Sequence, residues 1–244
     1  MTDEKLHLRY WSYAKNLNNK RPRDTPSQFR ATRRGPGGRT VTDETRGGVE
    51  PHNSDSQDAQ LSVVPGRTCG TCGLCCKVYS VPGLNKPAGH WCIHSRFGLG
   101  CGIHAIRPSF CSQFFCSWLV DPNLGPEWKP EVCRFVLSAD PAYQALTLMV
   151  DPETPLAWKR EPYYSVLKKF SEVLFRRNMK VLVNLSGHIT VILPDRDVPI
   201  GVILPREARE EIVIWREGST CYAGLRRDLE LAQRSSDGLR AGSM

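Results

Sequence analysis

Eight cysteines, Cys69, Cys72, Cys75, Cys76, Cys92, Cys101, Cys111 and Cys116, fall within 48 of the 244 residues of this chain. Sulfur at that density leaves three options: disulfides, buried free thiols or metal ligands. The N-terminus MTDEKLHLRYWSYAKNLNNKRPR has no apolar h-region, so cytoplasm is the expected compartment, and disulfides are rare there. A free buried thiol packs as a small hydrophobe, but that role does not call for a C-x2-C-x2-C-C run beside a second cluster. Metal ligation is the expected role. Cys133 and Cys221, the other two of ten, stand apart and read as strand residues.

The first block is Cys69-Gly-Thr-Cys72-Gly-Leu-Cys75-Cys76-Lys77. Two residues between cysteines let both sulfurs reach one ion from a tight turn, and the glycines expose backbone N–H groups to the sulfurs. The second block runs from Trp91-Cys92-Ile93-His94 through Cys101 and Cys111 to Cys116. Eight ionised thiols in so short a stretch repel one another, and a bound cation removes that repulsion. His94 and His104 are candidate ligands, but with eight thiolates at hand they read better as groups hydrogen-bonded around the ligands. Arg107, Lys77 and Arg96 are expected to offset the negative charge of the centre, with Trp91 and Trp118 packed over it.

The cysteine pattern resembles the CxxCxxCC, or YkgJ-like, proteins, described as zinc- or iron-chelating domains. The likeness covers residues 66–120 and rests on CGTCGLCCK, the lone Cys92, C-x-I-H-x-x-R-P-x-x-C from Cys101 to Cys111, and Cys116. His104 stands where the family shows Tyr or His. Ser112 stands where Arg is usual and Phe115 where Pro is usual, so the last loop departs from the family pattern. The resemblance implies metal binding through all eight cysteines, without naming a reaction.

Spacing leaves the metal open. Tetrahedral four-sulfur sites serve zinc and iron–sulfur clusters alike. Cys69, Cys72 and Cys75 match a ferredoxin-like run, but the adjacent Cys75-Cys76 pair departs from it. Neighbouring side chains diverge, so these two serve different ions or one of them bridges. Two four-coordinate ions, one polynuclear thiolate cluster, or one cluster with spare thiols all satisfy the pattern.

The expected fold class is α+β: an irregular cysteine-rich segment packed on an antiparallel sheet with one main helix. Residues 1–65 read as a disordered basic lead-in, residues 66–120 as the metal-binding domain, 121–228 as the α+β domain and 229–244 as a flexible tail. Residues 1–39 carry ten Lys and Arg against three Asp and Glu, so this stretch holds +7 of the formal charge of +8. A basic tail of that kind is a weak candidate for nucleic-acid binding, and the rest of the chain offers no basic face. Strands are predicted at VCRFVLS, ALTLMV, KVLVNL, ITVIL, IGVIL and EIVIW, and turns at Asp140-Pro141, Asp151-Pro152 and Ser186-Gly187. A helix is predicted over residues 162–179, and a shorter one over RPSFCSQFFCSWLV.

The chain has no Walker A loop, dinucleotide fingerprint, HExxH pair or G-x-S-x-G elbow. Asp195, Asp197 and His188 sit in turn-like contexts. An all-cysteine site offers no open position for hydrolytic water, so zinc hydrolysis is disfavoured. No apolar run approaches a membrane span. Three functions remain: a metal-binding protein, an iron–sulfur oxidoreductase or electron-transfer protein, and a zinc-stabilised interaction module with a nucleic-acid-binding tail.

Overall fold

The computed structural model describes residues 62–140, 144–203 and 212–230. The lead-in up to residue 61, including the basic stretch 1–39, and the tail from residue 231 lie outside the described residues, as does Pro141 of one predicted turn.

The cysteine-rich stretch is built from short pieces. These are α1 (Cys75–Val78), the two-residue strands β1 (Ser95–Arg96) and β2 (Gly100–Cys101), α2 (Ser109–Gln113) and α3 (Ser117–Val120). The single helix expected over RPSFCSQFFCSWLV is instead two. Phe114 and Cys116 adopt extended backbone between α2 and α3, which turns Cys116 and Phe115 toward an apolar cluster. Side-chain burial outweighs helical continuity here.

Next come α4 (Pro130–Cys133), β3 (Phe135–Asp140), β4 (Ala145–Val150), α5 (Tyr163–Phe175), β5 (Lys180–Leu185), β6 (His188–Ile192) and β7 (Asp197–Val202). Finally β8 (Ile212–Glu217) and β9 (Thr220–Leu225) form a separate hairpin. The fold class is α+β, with one main helix. β3 to β7 form one sheet in chain order. Every neighbouring pair in it is antiparallel except β4–β5, which is parallel because α5 carries the chain back across the sheet before β5 begins. Cys133 is not a strand residue as expected. It closes the turn of α4, Arg134 follows with φ of 65°, and β3 starts only at Phe135. β9, which holds Cys221, was not among the predicted strands.

Alternation along the strands sorts the residues into three packed layers. Phe135, Leu137, Leu146, Leu148, Val150, Val181 and Val183 face α5, meeting Leu167 and Leu174. Trp128, Phe135 and Tyr163 make edge-to-face contacts there at 5.2 to 6.0 Å. On the opposite face, Leu182, Ile189, Val191 and Leu193 take the β8–β9 hairpin through Ile212, Cys221 and Leu225. Val136 and Met149, register partners on β3 and β4, face the cysteine-rich stretch. There Val136 packs with Leu74, Val78, Cys116 and Leu119. The cysteine-rich stretch thus occupies the β3–β4 side of a face whose other side the hairpin covers.

Polar contacts fasten it in place. The Tyr79 hydroxyl meets Ser138 Oγ of β3 at 3.0 Å. Arg67 donates to the carbonyls of Trp118, Asp121 and Leu124, the last two at 2.8 and 2.6 Å. Lys77, immediately after the paired cysteines, lies 2.8 Å from Asp151 and 2.7 Å from Glu153. Asp151 is fully buried and also pairs with Arg134. No helix among the described residues is long and apolar enough to cross a membrane.

Candidate metal centre

The residues of the first block are brought together by local turns. The Cys72 N–H donates to the Cys69 carbonyl at 2.9 Å and the Tyr79 N–H to that of Cys75 at 3.3 Å. The second block is then stitched to the first through its backbone. The Cys92 N–H donates to the Cys76 carbonyl at 3.0 Å, and the Ser95 N–H to that of Cys92 at 2.9 Å. Ser95 pairs with Cys101 across the β1–β2 ladder. Gly100, at φ +84°, lets that hairpin approach the Cys69 turn: a Cβ there would stand 2.4 Å from the Gly70 carbonyl oxygen. Only glycine allows both the backbone angle and the contact.

The outcome is one cavity of about 90 Å³ whose wall includes Cys69, Cys72, Cys75, Cys76, Cys92, Cys101, Cys111 and Cys116. All eight cysteines singled out from sequence therefore share a single space. Cys133 and Cys221 do not line it; they are buried in the two cores on either face of the sheet. Among the described residues, no three Cys, His, Asp or Glu side chains stand in the arrangement of a formed metal site. The thiols line the wall without meeting at a point.

Electrostatics separates the thiols. A hydrogen bond between the Cys75 and Cys76 side chains, joined by burial, pushes Cys75 well up. The same bond pulls Cys76 down to about 7. Burial pushes Cys69, Cys72 and Cys111 up, and Cys116 up to about 12. In metal-free protein Cys76 is therefore the first of these to ionise. Its alkylation by iodoacetamide should accelerate as pH rises through about 7 and then level off, while Cys116 stays slow. Mass-spectrometric mapping of a brief pulse at several pH values checks this; equal labelling of the eight would contradict it.

The cations around the cavity are not quite those expected. Arg107 lines it and donates to Nε2 of His104, which also lines it. That contact occupies one ring nitrogen of His104 and fits a supporting role better than ligation. His94 does not line the cavity, and its carbonyl accepts from the Gly102 N–H at 2.8 Å. Lys77, expected as a companion of the thiols, points into the Asp151 pair instead. Arg96 is exposed on β1 and is not part of the wall. Trp118 lines the cavity as expected, with Arg67 over its ring at 5.0 Å. Trp91, also expected over the centre, is 43% exposed and is not part of the wall; its ring lies 5.4 Å from the Lys77 ammonium.

Sequence reasoning missed Lys86. This side chain is 7% exposed, and its ammonium donates to the carbonyls of Lys77, at 2.7 Å, and of Tyr79. Among the described residues no carboxylate pairs with it. The groups whose negative charge would favour its ammonium are Cys75, Cys76, Cys92 and Cys111. Burial holds the ammonium below the usual lysine range, and the nearby thiols, where ionised, act against that shift. The segment NKP around it gives no local signal of burial.

The remaining candidates have structural partners. Asp197 accepts from the Tyr164 hydroxyl and pairs with Lys159 and Lys168. Asp195 accepts from the Cys221 N–H. His188 opens β6 after a Ser186-Gly187 turn in which both residues have positive φ.

The chain matches no family model, no curated protein and no solved structure.

Proposed function

We propose that this protein binds metal, holding zinc or an iron–sulfur cluster through Cys69, Cys72, Cys75, Cys76, Cys92, Cys101, Cys111 and Cys116. The observation that carries this reading is the convergence of all eight thiols on one cavity, while the two other cysteines are sent elsewhere. The donor set suits either group: soft thiolates select zinc and iron–sulfur clusters over hard-ligand metals. The buried ammonium of Lys86 and the guanidinium of Arg107 supply positive charge beside an anionic thiolate centre. Rotation of thiols that already share one wall would bring them onto an ion, because a cation converts their mutual repulsion into a common attraction. Zinc held by four thiolates would serve structure, whereas an iron–sulfur cluster would add electron transfer.

Anaerobic purification of the full chain without a His-tag, followed by elemental analysis and a visible spectrum on one sample, tests the proposal. Colourless protein with stoichiometric zinc gives the structural reading. Iron with acid-labile sulfide and broad visible absorption gives the redox reading. Protein that carries neither, and takes up neither on reconstitution, overturns both.

A further inference from the structure

The eight thiols are not equivalent, and the backbone sorts them. Cys69, Cys72, Cys75 and Cys116 pack against the apolar cluster of Leu74, Val78, Leu119 and Val136, on the side facing the sheet. None of the other four belongs to that cluster. Cys75 interacts electrostatically with Cys72 and Cys69, and Cys116 with the same two. Cys76, Cys92, Cys101 and Cys111 form the complementary group. Cys76 and Cys92 are joined by the main-chain bond at 3.0 Å, and the turn after Cys92 leads to the ladder that pairs Ser95 with Cys101. Cys111 interacts with Cys76, Cys101 and Cys92, and with none of the inner cysteines among its main influences. Cys69 stands at the boundary, since it also senses Cys76 and Cys101. Its packing beside Cys72 and Cys75 places it inward.

We propose, resting on the metal-binding reading above, that the cavity is two four-thiol sites: an inner one of Cys69, Cys72, Cys75 and Cys116 seated on the apolar cluster, and an outer one of Cys76, Cys92, Cys101 and Cys111 beside Lys86 and Arg107, so that adjacent Cys75 and Cys76 serve different metal ions.

The geometry of adjacent residues supports the split. Cys75 and Cys76 begin α1, where neighbouring side chains leave the axis roughly 100° apart; the hydrogen bond that joins their thiols has to give way as each turns to its own ion. Charge supports it too. A divalent ion with four thiolates carries a formal charge of about −2. Lys86 reaches three outer thiols, Cys76, Cys92 and Cys111, and one inner thiol, Cys75, while Arg107 reaches Cys76 and Cys111 and also the inner Cys69. The inner group adds apolar neighbours on the sheet side. The inner ion is therefore the slower to exchange, and the outer one the first to leave to a chelator.

Stripped full-length protein is titrated with Zn²⁺ and, in parallel, with Co²⁺, whose thiolate charge-transfer and visible bands report each tetrahedral site. The wild type should take up two equivalents. Cys72→Ser and Cys111→Ser should each keep one. The decisive comparison is between double variants. Cys75→Ser with Cys72→Ser removes ligands from one site and should still keep one equivalent. Cys76→Ser with Cys72→Ser crosses the two sites and should keep none. Pulling metal with a chelator should release one equivalent from wild type at least tenfold faster than the other, and Cys111→Ser should lack that fast phase. A wild type that binds two ions which any single substitution removes together has one shared cluster, and the division is overturned. A single equivalent in the wild type overturns it as well. Uptake of neither Zn²⁺ nor Co²⁺ by the wild type brings down the metal-binding reading itself, so the two failures are distinguishable.

Discussion

Stripping metal from the full-length protein is expected to release residues 69–116 from their packing while the sheet stays folded. Within that stretch Leu74, Val78 and Val81 are the large apolar side chains that are fully buried. Trp91, Ile93, Phe97, Leu99, Ile106 and Phe110 are exposed, from 43% to 95%. Each buried Leu or Val contributes about 1.5–3 kcal/mol, and ordering each residue's backbone costs about 1–2 kcal/mol. Helices of four and five residues and strands of two add little cooperative support. A structural metal, with roughly 10 kcal/mol or more of apparent binding energy in small zinc domains, would supply the missing stabilisation. Hydrogen exchange on loaded and chelator-treated protein should show amides of α1, β1, β2 and α2 losing protection by roughly 1000-fold, or about 4 kcal/mol at 1.4 kcal/mol per decade. Amides of β4 and β5, which lie in the centre of the sheet, should change less than tenfold. Equal loss throughout would mean that the two parts fold as one unit; no loss in either would mean that metal contributes nothing to stability.

The second large effect is expected at Asp151. Its carboxylate is completely buried between Lys77, itself 3% exposed, and Arg134. Asp151→Asn leaves the Lys77 ammonium buried with only the exposed Glu153 as a partner. Breaking a buried pair from one side costs about 3–5 kcal/mol, and urea unfolding should show a loss in that range. The pair ties the residue after Cys76 to the end of β4, so α1 should loosen and metal affinity should fall as well. Combining Asp151→Asn with Lys77→Met removes both charges and should recover part of the lost stability, because no buried ion is then left unpaired. A loss below about 1 kcal/mol, the value of an exposed pair, would mean that water reaches this site.

Local chemistry made much of this protein readable from its residues. The eight cysteines that line one cavity could be singled out because their clustering and spacing are short-range properties of the sequence. β4 and β5 were predicted with their observed boundaries, since ALTLMV and KVLVNL are apolar runs bounded by turns. The helix was predicted over residues 162–179 and observed at Tyr163–Phe175, its end closed locally by Asn178 at φ of 56° and by the Met179 N–H donating to the Leu174 carbonyl. The α+β class followed from one long amphipathic helix among several strands.

Contacts between distant residues decided the rest. The split of RPSFCSQFFCSWLV into α2 and α3 answers to the burial of Cys116 and Phe115 on a cluster that includes Val136, which no window around residue 115 contains. Lys77 looked like a companion of the thiols because it is adjacent to Cys76. It faces Asp151 because a buried carboxylate just after β4 outcompetes its neighbours for the ammonium. Lys86, distant from most of the cysteines in sequence, was folded among them instead. Sequence determined which side chains could hold a metal, because thiol chemistry and spacing are local. The tertiary structure alone decided which thiols share a neighbourhood and which cation faces them, because burial and charge pairing are settled by whatever the sheet brings alongside.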